Sequence, residues 1–284
     1  MLLLCLTWTG CSSRQANPLV QAETSIQEEA LPGSETKQEA QANPPQGPDF
    51  EDLLIQTPEP LSGEGEMPAS TAEPADTGFD FTICFAGDIN LDENWYTTRF
   101  LNEQPGGIYD CISQELVEVM RAADIMCLNN EFTYSTGGAP LPGKAYTFRA
   151  DPARVEVLGQ LGVDAVTLAN NHVYDYGEEA LLDTFTVLEE AEVPYFGAGR
   201  TLEEAMKPLY LEVEGKTVAL VAASRAEKNK MTPQATDTQP GILRCYDTEL
   251  FLQAIREGKA NADFCIAFVH WGTEYSYELE QVQL

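Results

Sequence analysis

With 284 residues, 46 acidic side chains and 16 basic ones, the chain carries a formal charge of −30, which sets it against nucleic acid and anionic lipid surfaces as partners. An anionic substrate must then be held by a metal ion or by a local cluster of Lys and Arg, because the field of the whole protein repels it. The seven cysteines include no C-x-x-C pair, so neither a zinc ribbon nor a thioredoxin-type site is indicated. Cys84, Cys127 and Cys265 each fall inside an apolar run and read as small core residues.

The first eleven residues form an apolar stub that ends in Gly10-Cys11. A small residue before a cysteine resembles a bacterial lipobox with Cys11 as the lipidated residue, although Trp8 replaces the usual Leu or Val and no basic residue precedes the stub. A plain signal or anchor segment is the alternative, and both place the protein outside the cytoplasm. Residues 12–78 hold nine of the 17 prolines, one aromatic (Phe50), thirteen acidic residues and two basic ones. Such a segment buries too little apolar area to offset its ordering entropy, and it reads as a disordered acidic linker. Of the total charge, −11 lies here and −19 lies in residues 79–284, the one expected globular unit.

Phe79 to Ala86 reads as the first strand, leading into Gly87-Asp88-Ile89-Asn90. Glycine followed by an acid lets a carboxylate emerge from a tight turn, although Asp is also an ordinary turn or cap residue. Asp110 to Ala123 has helical spacing, with Ile112, Leu116, Val119 and Met120 as its apolar side. Asp124 to Leu128 is a second buried strand, followed by Asn129-Asn130-Glu131; a glutamate there is either a ligand or a solvated loop residue. The Gly/Pro-rich stretch 133–148 is a long loop. Lys144 and Arg149 beside it are candidates to clamp an anionic group, against the plainer reading of surface charges.

Asp151-Pro152 is a helix start, with Asp as N-cap and Pro at the first helical position; Val155, Leu158 and Leu161 face inward and Gly162 ends the helix. Asp164 to Ala169 is an apolar strand that breaks into Asn170-Asn171-His172. Gly177 then opens a long helix whose Leu181, Leu182, Phe185 and Leu188 share one face, and Val193 to Phe196 is the returning strand. Leu202 to Met206 is a short helix. Leu209 to Val213 and Val218 to Ala222 form an antiparallel hairpin turning at Glu214-Gly215-Lys216. Ser224 to Gln239 is a polar loop containing Arg225, Lys228 and Lys230. Thr248 to Gly258 is helical, and Asp263 to Val269 is a buried strand that delivers His270. Alternating strands and helices predict an α/β fold with parallel pairing, in which ligands bind at the carboxyl ends of the strands.

Both histidines of the chain, His172 and His270, follow such strands, as do Asp88 and Glu131. A single histidine after a strand is usually structural, but four strand ends offering Asp, Glu, Asn-His and His are a donor set suited to Mn²⁺, Fe²⁺, Mg²⁺ or Zn²⁺. The pieces GDINLDENW (87–95), NNEF (129–132), TLANNHVYDYGEEALLDTFTVLEEAEVPYFGAG (167–199) and HWGTEY (270–275) resemble the CapA-type capsule synthesis proteins, which are implicated in bacterial poly-γ-glutamate production. The resemblance runs through roughly residues 79–284. It implies the α-β-β-α sandwich of the calcineurin-like metallophosphatases, with metals at strand ends.

On that resemblance Asp88 matches the first metal-binding aspartate, and Asn90 stands where those enzymes place a histidine. Glu131 sits at a bridging aspartate's position, Asn171 is a metal ligand and His172 its catalytic neighbour, and His270 matches a later metal-binding histidine. The family's terminal Gly-x-His-Pro-His-like stretch does not occur in these 284 residues, which implies a fold incomplete at its C-terminus and leaves the number of metals open. Two functions follow from the resemblance. One is a surface-tethered, metal-dependent hydrolase of a phosphate ester or related bond. The other is a non-catalytic factor that binds an acidic polymer or the capsule synthesis and export machinery.

Overall fold

The computed structural model describes residues 80–227, 230–274, 276 and 278–284; the stub with Cys11, the 12–78 segment and Lys228 lie outside the described residues. In chain order the elements are β1 (Ile83–Ile89), α1 (Tyr96–Glu103), α2 (Gln114–Ala122), β2 (Ile125–Asn130), β3 (Thr133–Tyr134), β4 (Arg149–Ala150), α3 (Glu156–Leu161), β5 (Ala165–Thr167), α4 (Gly177–Glu190), β6 (Tyr195–Phe196), β7 (Ala198–Gly199), α5 (Leu202–Met206), β8 (Leu209–Val213), β9 (Lys216–Ser224), β10 (Gly241–Ile242), α6 (Glu249–Asn261) and β11 (Phe264–His270). No helix among the described residues is long and apolar enough to cross a membrane.

Two sheets face each other. The first has the order β1-β2-β5-β6, parallel throughout. The second has the order β11-β9-β8, with β11 parallel to β9 and β8 antiparallel to it. The period of two along each strand sorts its apolar residues between layers. From β2, Ile125 and Cys127 enter the core between the sheets with Val218, Leu220 and Ala222 of β9. The alternate residues Met126 and Leu128 pack outward with Val117, Leu158, Leu181 and Phe185 of α2, α3 and α4. On the far side Val221 and Ala223 of β9 pack against Ala205 of α5 and Phe251 and Ala254 of α6. Strands buried on both faces read as continuous apolar runs for this reason. The result is four layers: helices, sheet, sheet, helices.

Local chemistry accounts for the joints. Glu214 and Gly215 both take positive φ, 49° and 71°, and join Val213 to its partner Lys216, the two-residue turn whose twist suits a hairpin. Asp151 accepts from the Ala153 N–H ahead of a short 3₁₀ turn and α3, and Gly162 closes α3 in the left-handed region. Gly197 sits where the sheets come close: a Cβ there would lie 2.7 Å from that of Ala169 and 2.8 Å from that of Ala222.

Three expectations change. The strand expected over 79–86 spans Ile83–Ile89, so Asp88 lies inside β1 opposite Asn129, just past an irregularity between Phe85 and Asp88, and is neither turn nor cap. The helix expected over 110–123 starts only after Ser113, which caps it by accepting from the Leu116 N–H. It buries Val117 and Met120 and leaves Leu116 and Val119 exposed, because two apolar stripes compete on this helix and packing on the first sheet selects one. The loop 133–148 begins with β3, which pairs in parallel with β4.

Candidate metal centre

Because β1, β2 and β5 run parallel, their carboxyl ends share one rim, and β11 brings His270 to the same rim from the second sheet. Asp88, Glu131 and His270 each place a ligand atom there, all within 4.8 Å of one another. His270 Nε2 lies 2.8 Å from Asn171 Oδ1 and 3.3 Å from Glu131 Oε1, and its Nδ1 lies 3.9 Å from Asp88 Oδ1. Burial disfavours the charged imidazole, but its hydrogen bond to Glu131 and the negative charges of Glu131 and Asp88 outweigh it and hold the His270 pKa above its ordinary value. Two carboxylates around one imidazole thus form a site that selects positive charge.

Three asparagines build the frame behind these donors. Asn129 Nδ2 donates to Asp88 Oδ1 at 2.7 Å. Asn170, fully buried, donates through Nδ2 to Asn129 Oδ1 and the Asn130 carbonyl, and its Oδ1 accepts from the backbone N–H groups of His172 and Val173. Every polar atom of that amide is used, as burial requires. Asn170 therefore shapes the loop that aims Asn171 and His172.

His172 stands beside the cluster, its Nε2 4.0 Å from Glu131 Oε1 and its ring against Phe148. Its Nδ1 lies 2.7 Å from Oδ2 of Asp175, a carboxylate with no exposed surface. Asp175 also accepts from the Phe148 N–H and pairs with Lys144 Nζ at 2.6 Å. The carboxylate fixes the proton of the neutral ring on Nδ1 and leaves Nε2 facing the cluster. In the sequence Asn129 and Asn170 stand close to candidate ligands without a role of their own, and Asp175 has none. An acid three residues beyond His172 was the available signal for Asp175, and the two asparagines carried none.

Three expected site residues serve elsewhere. Asn90 Oδ1 accepts from the Asp92 N–H in a local turn, where it supports the segment after β1. In place of the anion clamp expected of them, Lys144 is spent on Asp175, Glu227 and the Asn171 carbonyl, while Arg149 donates to the Gly137 carbonyl and covers the Tyr176 ring. A buried cation beside two carboxylates satisfies them first.

Asp88, Glu131, Asn171 and His270 together offer carboxylate and amide oxygens and one imidazole nitrogen. That chemistry fits a divalent cation such as Mg²⁺, Mn²⁺, Fe²⁺ or Zn²⁺ without choosing among them.

Residues 82–284 match the family described as bacterial capsule synthesis protein PGA_cap. The chain is 29% identical over 217 residues to the PGA biosynthesis protein CapA of Bacillus subtilis (strain 168), which covers 75% of this chain and 54% of that protein. It is 33% identical over 125 residues to the capsule biosynthesis protein CapA of Bacillus anthracis, 43% of this chain and 30% of that one. A third relative, named "Probable polyglutamine synthesis accessory protein" in Mycobacterium tuberculosis (strain H37Rv), is 27% identical over 55% of this chain and 43% of its own length. The chain spans about half the length of these curated relatives, or less. Among solved structures, one described as a novel phosphatase of Mycoplasma pneumoniae aligns at a TM-score of 0.37 and 14% identity over 68% of this chain and 56% of that one; likeness at that score carries no argument. The match over residues 82–284 and the CapA relatives agree, and the chain belongs to the PGA_cap family of bacterial capsule synthesis proteins.

Proposed function

We propose that this chain serves capsule poly-γ-glutamate biosynthesis through a divalent-metal site of phosphoesterase type, acting on a phosphate ester or related bond. The observation that supports this reading is the convergence of Asp88, Glu131, Asn171 and His270 beside a histidine backed by a buried carboxylate. Asp88, Glu131, Asn171 and His270 would hold the ion, which would supply Lewis-acid polarisation of a phosphoryl oxygen and a more acidic water. Asp175 keeps His172 Nδ1 protonated, so that Nε2 carries the exchangeable proton. In its protonated form His172 gives that proton to the leaving oxygen as general acid. Asn170 and Asn129 keep the donors oriented with no substrate contact of their own.

The alternative is a non-catalytic factor that binds an acidic polymer or the synthesis and export machinery. The name of the Mycobacterium tuberculosis relative, an accessory protein, favours it. Metal analysis of the purified chain and a generic phosphodiesterase assay separate the two, with His172→Ala as control. Bound metal together with turnover lost in His172→Ala supports the enzyme; metal-free protein without turnover overturns it in favour of the factor.

An extracytoplasmic location, anchored by lipid at Cys11, is part of this proposal and rests on the Gly10-Cys11 pattern. Incorporation of labelled palmitate into the wild-type chain and its loss in Cys11→Ser tests it; equal labelling of both overturns the anchor.

A further inference from the structure

The polar loop after β9 collects cations that the metal centre does not use. Arg225 follows β9 directly, and its backbone N–H donates to the His270 carbonyl at 2.9 Å. Its guanidinium lies 5.3 Å from the centroid of the Tyr246 ring, and the Lys230 ammonium lies over the same ring at 4.4 Å. The Arg244 guanidinium is 6.0 Å from that centroid and donates to the carbonyls of Lys230 and Thr232. The Tyr246 hydroxyl is held by the Glu227 carbonyl. Lys230 itself takes a left-handed backbone conformation, φ 50°, which a side chain of that size adopts at a cost.

Lys144, Arg154, Arg200, Lys216 and Arg256 each pair with a carboxylate. Among the described residues, Arg225, Lys230 and Arg244 have none within 4.0 Å, in a chain whose net charge is −30. Arg99, Arg121, Arg149, Lys207 and Lys259 also lack a carboxylate within 4.0 Å, but among the described residues three cations share one ring only at Tyr246. Three like charges around one ring repel each other. The ring face attracts each of them but has no net charge to neutralise them. Burial also pushes the Arg244 pKa below its ordinary value, against the raising influence of Tyr246 and Glu227. The loop is tied to the metal centre twice: Arg225 bonds the His270 backbone, and Thr232 Oγ1 donates to the Asn171 carbonyl at 2.9 Å.

We propose that Arg225, Lys230 and Arg244, arranged around Tyr246, form an oxyanion subsite beside the metal centre that receives carboxylate or phosphate groups of the ligand. An acidic protein repels such a ligand at long range, so local cations are what allow it to dock. Three donors spread around a ring suit several oxyanions on one chain better than a single small ion, and an oligoglutamate is the ligand of that kind. In this form the inference rests on the proposed capsule function; the subsite itself rests only on the cations.

The test uses the full chain and two probes, a fluorescent oligo-γ-glutamate and inorganic phosphate, with binding measured at low and physiological salt. The wild type binds the oligoglutamate in a salt-sensitive manner, and Lys230→Ala and Arg225→Gln each weaken it about tenfold, the value of one charge-assisted hydrogen bond. Lys230 is exposed, so its substitution keeps the fold, which thermal melting verifies. Competition by millimolar phosphate at the same residues assigns the subsite to phosphate groups; no competition assigns it to the polymer. Wild-type binding left within twofold by both substitutions, or absent altogether, overturns the subsite. Asp88→Asn separates the two readings. Loss of metal with oligoglutamate binding retained supports the subsite independently of the centre. Oligoglutamate binding lost only in Asp88→Asn places the anion on the metal and overturns the subsite alone.

Discussion

Glu131 and Asn171 leave strands packed on both faces, whereas Asp88 and His270 stand on β1 and β11, the edges of their sheets. All six residues of β2 are buried, as are Ala165 to Asn170 along and after β5. On the edge strands Phe85 is 47% exposed and Phe264 39%, and the Asp88 side chain is half exposed. The inner pair is held by close packing and the Asn170 hydrogen bonds. The outer pair relies more on side-chain hydrogen bonds, from Asn129 to Asp88 and between His270 and both Asn171 and Glu131. Rigidity is thus unequal across the centre, and a metal ion bridging the two sheets would stiffen the outer half most.

The comparison breaks most severely at its buried charge. Asp175→Asn leaves Lys144 with Glu227 as its only carboxylate, and removal of one partner from a buried pair costs about 3–5 kcal/mol. Urea unfolding reads this directly, and a loss below about 1 kcal/mol contradicts the role given to the pair. Next comes apolar packing: Leu168→Ala, on the inner half and fully buried, costs about 2–5 kcal/mol. Phe85→Ala, on the edge, forfeits chiefly its edge-to-face contact with Phe268, about 0.5–1.5 kcal/mol. Equal losses in paired melts would erase the distinction between the halves.

Metal binding sharpens the comparison on the outer half. Asn129→Ala removes the donor that orients Asp88 while sparing every ligand atom, and Mn²⁺ affinity by calorimetry falls about 10–100-fold; wild-type affinity would show that Asp88 needs no such support. The smallest effect concerns acid stability away from the centre. Hydrogen bonding to Arg154 holds Glu93 below its ordinary pKa despite some burial. A depressed carboxylate contributes stability above its unfolded pKa and loses it as pH falls through the folded value. Both side chains are partly exposed, at 24% for Arg154 and 38% for Glu93, so solvent screening limits the contribution to about 1 kcal/mol or less. Arg154→Met should remove that portion of the acid-side loss, and superimposable stability–pH curves for variant and wild type would rule it out.

Much of the fold is legible in the residue order. Leu181, Phe185 and Leu188 predict the buried face of α4, and Asp151-Pro152 and Gly162 predict where the helical segment between them starts and stops. Leu116 and Val119 mislead because α2 offers two apolar stripes. Asp88 reads as a turn residue because a strand irregularity leaves no trace in composition. Of the site, the four donors stand out as polar residues after apolar runs, whereas the contacts that Lys144 and Arg149 make within the protein leave no such trace. The carboxylate partners of Lys144, namely Asp175 and Glu227, come from other loops.

By itself, then, the order of residues determines strands, helices, the hairpin turn and the candidate ligands, since each depends on sterics and burial within a few neighbours. Tertiary structure alone decides which of them meet. Asn171 reaches His270 across 99 residues, and Lys144 neutralises Asp175, only because strand order and the packing of one sheet on the other bring distant loops to a single rim. That placement is a property of the whole assembled chain, and no local period encodes it.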